Sequence, residues 1–404
     1  MPIKELFIGA TLALASSALT LAAIEVGLRL LDKPAWETEL RAGWKSKGRY
    51  VNELGYRGQP IHYSDRNIVI VLLGDSHVES EACPPDMMPE RYLEQHLQRR
   101  DARFRVFTLG SGGYGNDQEY LALKEYFGKY RADAVVLWQT FENDVWNNIF
   151  PTHMPADGTI KPTYWLDHGT LKGPNYQLGE VIRKPAQTKI GVMLNRLLPP
   201  HKGLDKSWER FLPTPYQPLT HYEGSFLTDW DPSDPNNNNP ILEFENLKNE
   251  KSHFSVQLYP RSERMQYGLD LTRKLLGRIR DTASERRTSF FIFYALRPDD
   301  QRRLKNEEVD DVIVHKHDGI FYRTSFRQTM ANMEYANEGF TTFAIPILLE
   351  KWRVSDTNSH LNCRANDQVM RDLAEKIARY NSGGQAIVGP VTHQGQAGVG
   401  DKGK

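Results

Sequence analysis
The chain has 404 residues, enough for one large domain or two to three ordinary ones. Its 51 basic and 51 acidic residues cancel. That removes the general electrostatic reason to expect nucleic acid or an acidic polymer as a partner. With 11% aromatic and 25% charged residues, the composition is that of a globular protein with a real core.

The first 33 residues stand apart. The run from Leu6 to Ile24 carries no charge and has the length of a bilayer-crossing helix. The apolar character continues through Val26 and Leu28 to Leu31, which favours a retained anchor. Ala13-Leu14-Ala15 keeps a cleaved signal peptide open as the alternative. Lys4 on one side and Arg29 and Lys33 on the other barely decide the orientation. Residues 34–66, with "NELGYRGQP", read as a turn-rich connector.

From Asn67 the pattern alternates. "IVIVLL" is apolar throughout, as in a strand buried on both faces. "PERYLEQHLQRR" follows at helical spacing, then the strand "FRVFTLG", the helix "DQEYLALKEYF" and the strand "ADAVVLWQT". This run implies a parallel sheet with crossover helices. Residues from about 150 to 260 break the rhythm with prolines and "DPSDPNNNNP", and read as a long insertion. Within it "DGTIKPTYWLDHGTL" has the look of a hairpin. Its aromatics Tyr164 and Trp165, with Tyr222, either fill the insertion's own core or stack on sugar rings. The rhythm then resumes with the helix "SERMQYGLDLTRKLLGRIRDTASER", the strand "TSFFIFYAL", the helix "RQTMANMEYANEG", the strand "FTTFAIP" and the helix "RANDQVMRDLAEKIARY". The expected fold is a three-layer α/β/α domain over residues 67–380, with a disordered tail at 381–404.

Ligands of such sheets bind beyond the carboxyl ends of the strands, and four strand ends carry unusual chemistry. Gly74-Asp75-Ser76-His77 offers a serine hydroxyl and a backbone N–H together, or simply a helix cap. Thr108 to Asp117 is glycine-rich and also matches G-x-G-x-x-G through Gly110, Gly112 and Gly115, so a dinucleotide site is a rival there. Asn143-Asp144 places an amide donor at a third strand end, or caps a helix. "SDTNSHLN" places His360 after the last strand, with Asp356 ahead of it. The "HKH" at His315 to His317 lacks a third metal ligand and reads as a solvated loop. Cys83 and Cys363 are too few for a disulfide framework. They pair once in an oxidising compartment, or remain buried thiols.

These blocks resemble those of the SGNH, or GDSL-type, serine hydrolases. "VLLGDSHVES" is similar to the family's nucleophile block, "TLGSGGYGNDQEY" to its glycine block, "FENDVWNN" to its asparagine block and "DTNSHLN" to its closing block. The resemblance implies Ser76 as nucleophile, His360 as base and Asp356 as its orienter. It also implies an oxyanion hole from the Ser76 and Gly110 N–H groups and the Asn143 amide, with Gly113 and Gly115 shaping the loop. Two positions depart from the pattern. Phe141 stands where a glycine is usual, and Asp356 lies four residues before the histidine, with Asn358 two before. A Ser-His dyad oriented by a backbone carbonyl therefore stays open.

The N-terminal run, the connector and the insertion resemble membrane-tethered bacterial members of that family. The resemblance implies an ester hydrolase without metal or organic cofactor. It would act outside the cytoplasmic membrane on an acylated small molecule or an O-acylated carbohydrate. An O-acyltransferase would use the same residues. A nucleotide-binding protein using the Gly110–Gly115 loop and a non-catalytic surface module are the readings of other classes.

Overall fold
The computed structural model describes residues 13, 15–27, 50–153, 159–175, 212–220, 222, 247–250, 252–305, 312–317, 320–355 and 358–382. The first half runs β1 (Ile68–Gly74), α1 (Ser76–Glu79), α2 (Pro89–Gln98), β2 (Phe104–Gly110), α3 (Asn116–Phe127), β3 (Ala134–Trp138) and α4 (Phe141–Ile149). Short pairs follow, β4 (Thr152–His153) with β5 (Thr159–Ile160), then β6 (Thr163–Asp167) with β7 (Thr170–Asn175). The second half runs α5 (Glu263–Glu285), β8 (Ser289–Leu296), α6 (Pro298–Lys305), β9 (Val312–His317), β10 (Ile320–Ser325), α7 (Phe326–Ala336), β11 (Thr342–Pro346), β12 (Arg353–Ser355), β13 (Asn358–Leu361) and α8 (Cys363–Ser382).

The five apolar runs form one parallel sheet in the order β2-β1-β3-β8-β11. Its central strands are buried on both faces, which is why they read as continuous apolar runs. Successive side chains still alternate. Ile68, Ile70 and Leu72 meet Leu93 and Leu97 of α2 and Val369 and Leu373 of α8. Val69, Val71 and Leu73 face Leu123 and Tyr126 of α3 and Leu276 and Ile279 of α5. The result is an α/β/α arrangement. The chain leaves β1 towards β2 at the edge, then returns to place β3 on the other side of β1. Strand order reverses between β1 and β3, and ligands of such sheets bind at the carboxyl ends beside a reversal of this kind.

Local sequence explains the longer helices. Ser262 caps α5 by accepting from the Met265 N–H, and Ser325 caps α7 by accepting from the Gln328 N–H. The turn-rich stretch before β1 is packed into the domain. Asn52 Oδ1 accepts from the Leu54 and Tyr56 N–H groups, its amide donates to the Thr108 carbonyl, and Leu54, Tyr56 and Ile61 join the core.

Two expectations for aromatic and histidine side chains resolve. Tyr164, on the β6–β7 hairpin, is buried against Tyr120, Leu121, Leu271 and Leu275, so it fills core. His315 does not sit in a solvated loop. It lies in β9, buried, bonded to Thr324 Oγ1 at 2.9 Å and stacked on Tyr322.

Residues 15–27 are helical, and Leu19, Leu21, Ile24 and Val26 on this stretch are exposed. Among the described residues no helix is long and apolar enough to cross a membrane. The first part of the expected span, Leu6 to Leu12, lies outside the described residues, as does the chain beyond Ser382.

Candidate active site
The nucleophile turn is built around Asp75. Its carboxyl group is buried and accepts from three donors: the His77 N–H at 2.9 Å, the Thr140 hydroxyl at 3.1 Å and the Asn143 amide at 2.6 Å. As N-cap it starts the one-turn helix α1, and Ser80 closes that helix in the left-handed region at φ 48°. Arg57 clamps the far side, donating to the carbonyls of Glu79, Ser80 and Cys83. A single turn has no helical strength of its own. These bonds hold Ser76 at the end of β1.

His360 reaches Ser76 from 284 residues along the chain. Its Nε2 lies 2.8 Å from Ser76 Oγ, and its Nδ1 lies 2.7 Å from Asn358 Oδ1. The same Asn358 oxygen also accepts from the His360 backbone N–H at 3.1 Å. That fixes the proton on Nδ1 and leaves Nε2 to accept from the serine hydroxyl. Asp356, expected to orient His360, lies outside the described residues. The orienting contact that is described belongs to Asn358.

The expected oxyanion donors fall in different places. Gly110 is the last residue of β2, in register with Gly74. A Cβ there would sit 2.5 Å from Val78 Cγ1, so this glycine lets the nucleophile turn pack flat against β2. The loop beyond it passes close to the serine, since a Cβ on Gly112 would lie 3.9 Å from Ser76 Cβ. The Gly112 N–H is taken by Glu79 Oε2 at 2.6 Å. Gly113 holds φ +74°, which glycine alone adopts without strain. Its N–H has no partner among the described residues, and neither does that of Ser76. Asn143 gives one amide hydrogen to Asp75 and has no partner for the other among the described residues. Phe141, at the usual glycine position, opens helix α4 and is buried with Val145, Val256, Met265 and Leu269.

Two surroundings escaped the sequence reading, the His77 ring and a buried polar layer, and the cysteine pairing it left open is formed. His77 stacks on Trp138 with ring centroids 5.3 Å apart and lies 5.1 Å from the His360 ring. Burial lowers its pKa to about 4, helped by His360 and Arg297 and opposed by Asp75. It therefore stands beside the base as a neutral ring. Cys83 and Cys363 are joined in a disulfide with Cα atoms 5.5 Å apart. It ties the segment after Ser76 to the helix that starts three residues after His360. Beneath the glycine loop lies a buried polar layer of Asn116, Asp117, Glu119, Asp144, Asn147 and Asn148. Burial pushes Glu119 and Asp144 well above the usual carboxylate range. Lys161, fully buried, is paired with Asp117 and donates to the Asn147 carbonyl at 2.6 Å.

Ser76 and His360 form a hydrogen-bonded pair oriented by Asn358, and the N–H groups of Ser76 and Gly113 and one amide hydrogen of Asn143 have no partner among the described residues. Among the described residues no cluster of His, Cys, Asp or Glu could hold a metal ion.

No protein-family model matches the chain, and no curated protein matches it. Among solved structures, an acetyl xylan esterase from the rumen bacterium Butyrivibrio proteoclasticus is similar at 10% identity and a TM-score of 0.31. The match covers 81% of this chain and 66% of that one, so the chain spans just under two thirds of that esterase's length. A likeness at that score transfers neither substrate nor mechanism.

Proposed function
We propose that the protein is a serine esterase that cleaves an ester through an acyl-enzyme on Ser76. The observation that carries this reading is the Ser76–His360–Asn358 relay, at 2.8 and 2.7 Å. As Ser76 Oγ attacks the ester carbonyl, its proton passes to His360 Nε2. The other ring proton stays on His360 Nδ1, donated to Asn358 Oδ1, which holds the ring in place without charge. The oxyanion is received by the N–H groups of Ser76 and Gly113 and the second Asn143 amide hydrogen, with Gly113 taking the part expected of Gly110. When the carbon–oxygen bond to the alcohol breaks, Nε2 returns the proton to that alcohol. Water, deprotonated by the same nitrogen, then releases the acid and restores the serine.

The motif blocks support the SGNH type, and through that resemblance an O-acylated carbohydrate as substrate. The Cys83–Cys363 disulfide supports an oxidising compartment outside the cytoplasm. The uncharged run Leu6–Ile24 supports a tether to the cytoplasmic membrane. An acyltransferase differs only in delivering a sugar hydroxyl in place of water.

The glycine loop does not favour a nucleotide. Phosphates bind where helix N–H groups point into open space. The first turn of α3 is instead closed by its own buried Asn116, Asp117, Gln118 and Glu119.

The test is treatment of the full chain with a fluorophosphonate probe, beside Ser76→Ala and His360→Ala. The expected result is labelling of the parent, none in Ser76→Ala and a much slower reaction in His360→Ala. A folded parent that stays unlabelled overturns the proposal.

A further inference from the structure
Asn143 and Gly113 supply oxyanion donors only if something fixes where those donors point. We infer that Asn147 is the positioning residue that aims both. This rests on the esterase reading above.

Asn147 lies one helical turn after Asn143 on α4 and is 2% exposed. Its amide nitrogen donates to Asn143 Oδ1 at 3.2 Å, to the Gly113 carbonyl at 3.1 Å and to the Tyr114 carbonyl at 3.3 Å. Its acceptors thus include both residues that offer donors to the site. The Asn143 amide is held at its two ends, by Asn147 on the oxygen and by Asp75 on the nitrogen. Rotated by half a turn, it would set two NH2 groups against each other and an oxygen against Asp75. The plane is therefore fixed, and the remaining amide hydrogen with it. Gly113 at φ +74° has its carbonyl held by Asn147, which fixes the Gly113–Tyr114 peptide plane and so restrains the loop next to the plane that carries the Gly113 N–H.

Asn147 is itself anchored. Its carbonyl accepts from the buried Lys161, which also pairs with Asp117 at the start of α3. Lys161 comes from the segment joining β5 to β6, so the insertion reaches the oxyanion donors through Asn147. Asn148, next in sequence, is equally buried but faces elsewhere, bonding to Asn116 and Thr272. It makes a matched control for a purely structural role.

The test measures fluorophosphonate labelling kinetics of the full chain and its Asn147→Ala, Asn147→Ser, Asn143→Ala, Asn148→Ala and Asn143→Ala/Asn147→Ala variants, with a urea melt for each. Loss of one oxyanion donor slows reaction about 100- to 1000-fold. Misaimed donors should slow it less, so Asn147→Ala should lower kinact about 10- to 100-fold with KI nearly unchanged. The double variant should lose less than the product of the two single losses, because part of the Asn147 effect runs through the Asn143 donor. Asn148→Ala should lose stability yet keep most of its labelling rate. Asn147→Ser keeps one hydroxyl donor and should fall between the parent and Asn147→Ala, and it carries the test alone if the alanine variant does not fold. Undiminished labelling in a folded Asn147 variant, or fully multiplicative losses in the double variant, overturns the inference while the esterase reading stands. An unlabelled parent removes that reading and the inference with it.

Discussion

The geometry assigns the orientation of His360 to a neutral amide, and that assignment has a measurable cost. Asn358→Ala removes the acceptor for Nδ1 at 2.7 Å and for the His360 backbone N–H at 3.1 Å. A neutral hydrogen bond contributes about 0.5–1.5 kcal/mol net. Losing both amounts to about 1–3 kcal/mol, or roughly a 5- to 150-fold slower serine reaction if all of it appears in the barrier. Asn358→Asp keeps an acceptor of the same shape and makes both bonds charge-assisted, so it should react at least as fast as the parent. The assay is the rate of fluorophosphonate labelling and of hydrolysis of an activated phenyl ester, with urea melts to set aside unfolding. An orienting carboxylate, by contrast, is worth about 10⁴ in rate when its role is lost. If Asp356→Ala is nearly inactive while Asn358→Ala stays within about twofold of the parent, the reasoning from Asn358 is wrong.

Reduction of the Cys83–Cys363 bond, or Cys83→Ser with Cys363→Ser, should lower stability by about 2–4 kcal/mol in a urea melt and slow labelling of Ser76. A reduced protein that labels at the parent rate would show that the bond does not position the site. Burial raises Glu79 from 4.5 to about 7. The folded carboxyl therefore binds its proton more tightly than the unfolded one, and its stabilisation is full below pH 4.5 and lost as pH rises through about 7. Glu79→Gln carries no such loss, so its stability relative to the parent should grow by about 3 kcal/mol between acidic and mildly alkaline pH; a flat difference refutes it. Lys161→Met leaves the Asp117 carboxyl buried without its ion-pair partner and should cost about 3–5 kcal/mol by denaturant melt. A loss below about 1 kcal/mol would mean that Asp117 is already neutral.

The five sheet strands and five of the helices were legible because doubly buried strands must be apolar throughout and crossover helices must show a 3.6-residue stripe. The meeting of Ser76 with His360 was legible because the serine stands just beyond β1 and the histidine comes after the last sheet strand. Helix α4 was not. Its apolar residues Phe141, Val145, Trp146 and Ile149 have helical spacing, but Asn143, Asp144, Asn147 and Asn148 between them are buried too. Each of those side chains hydrogen-bonds to another of them or to a neighbour, so polarity in that stretch does not mark the solvent side. The proposal of Gly113 in place of Gly110 was out of reach of the sequence for a related reason. Backbone φ decides which glycine turns its N–H outward, and composition carries no φ. The β9–β10 hairpin did announce itself, since Asp318-Gly319 between two alternating runs is a strong turn signal. The charged "HKH" drew the reading away from it.

Ser76 and His360 are held by different means, and this explains the arrangement around them. Ser76 follows a central strand and inherits the rigidity of the sheet. His360 stands on β13, which pairs only with the three-residue β12, outside the sheet. A two-stranded hairpin of that size has little stability of its own, so the 2.8 Å contact needs other support. Leu361 supplies one anchor by burying itself in the core shared with α8. Asn366, one turn into that helix, supplies a second by donating to Ser80 at the end of the nucleophile turn. The disulfide supplies a third, covalent one between the same two segments. The Asn366 bond and the disulfide both join α8 to residues at or just after the end of the serine turn. The base is thus fixed by contacts that do not involve Ser76 itself, so its 2.8 Å bond to the serine does not depend on the short hairpin alone.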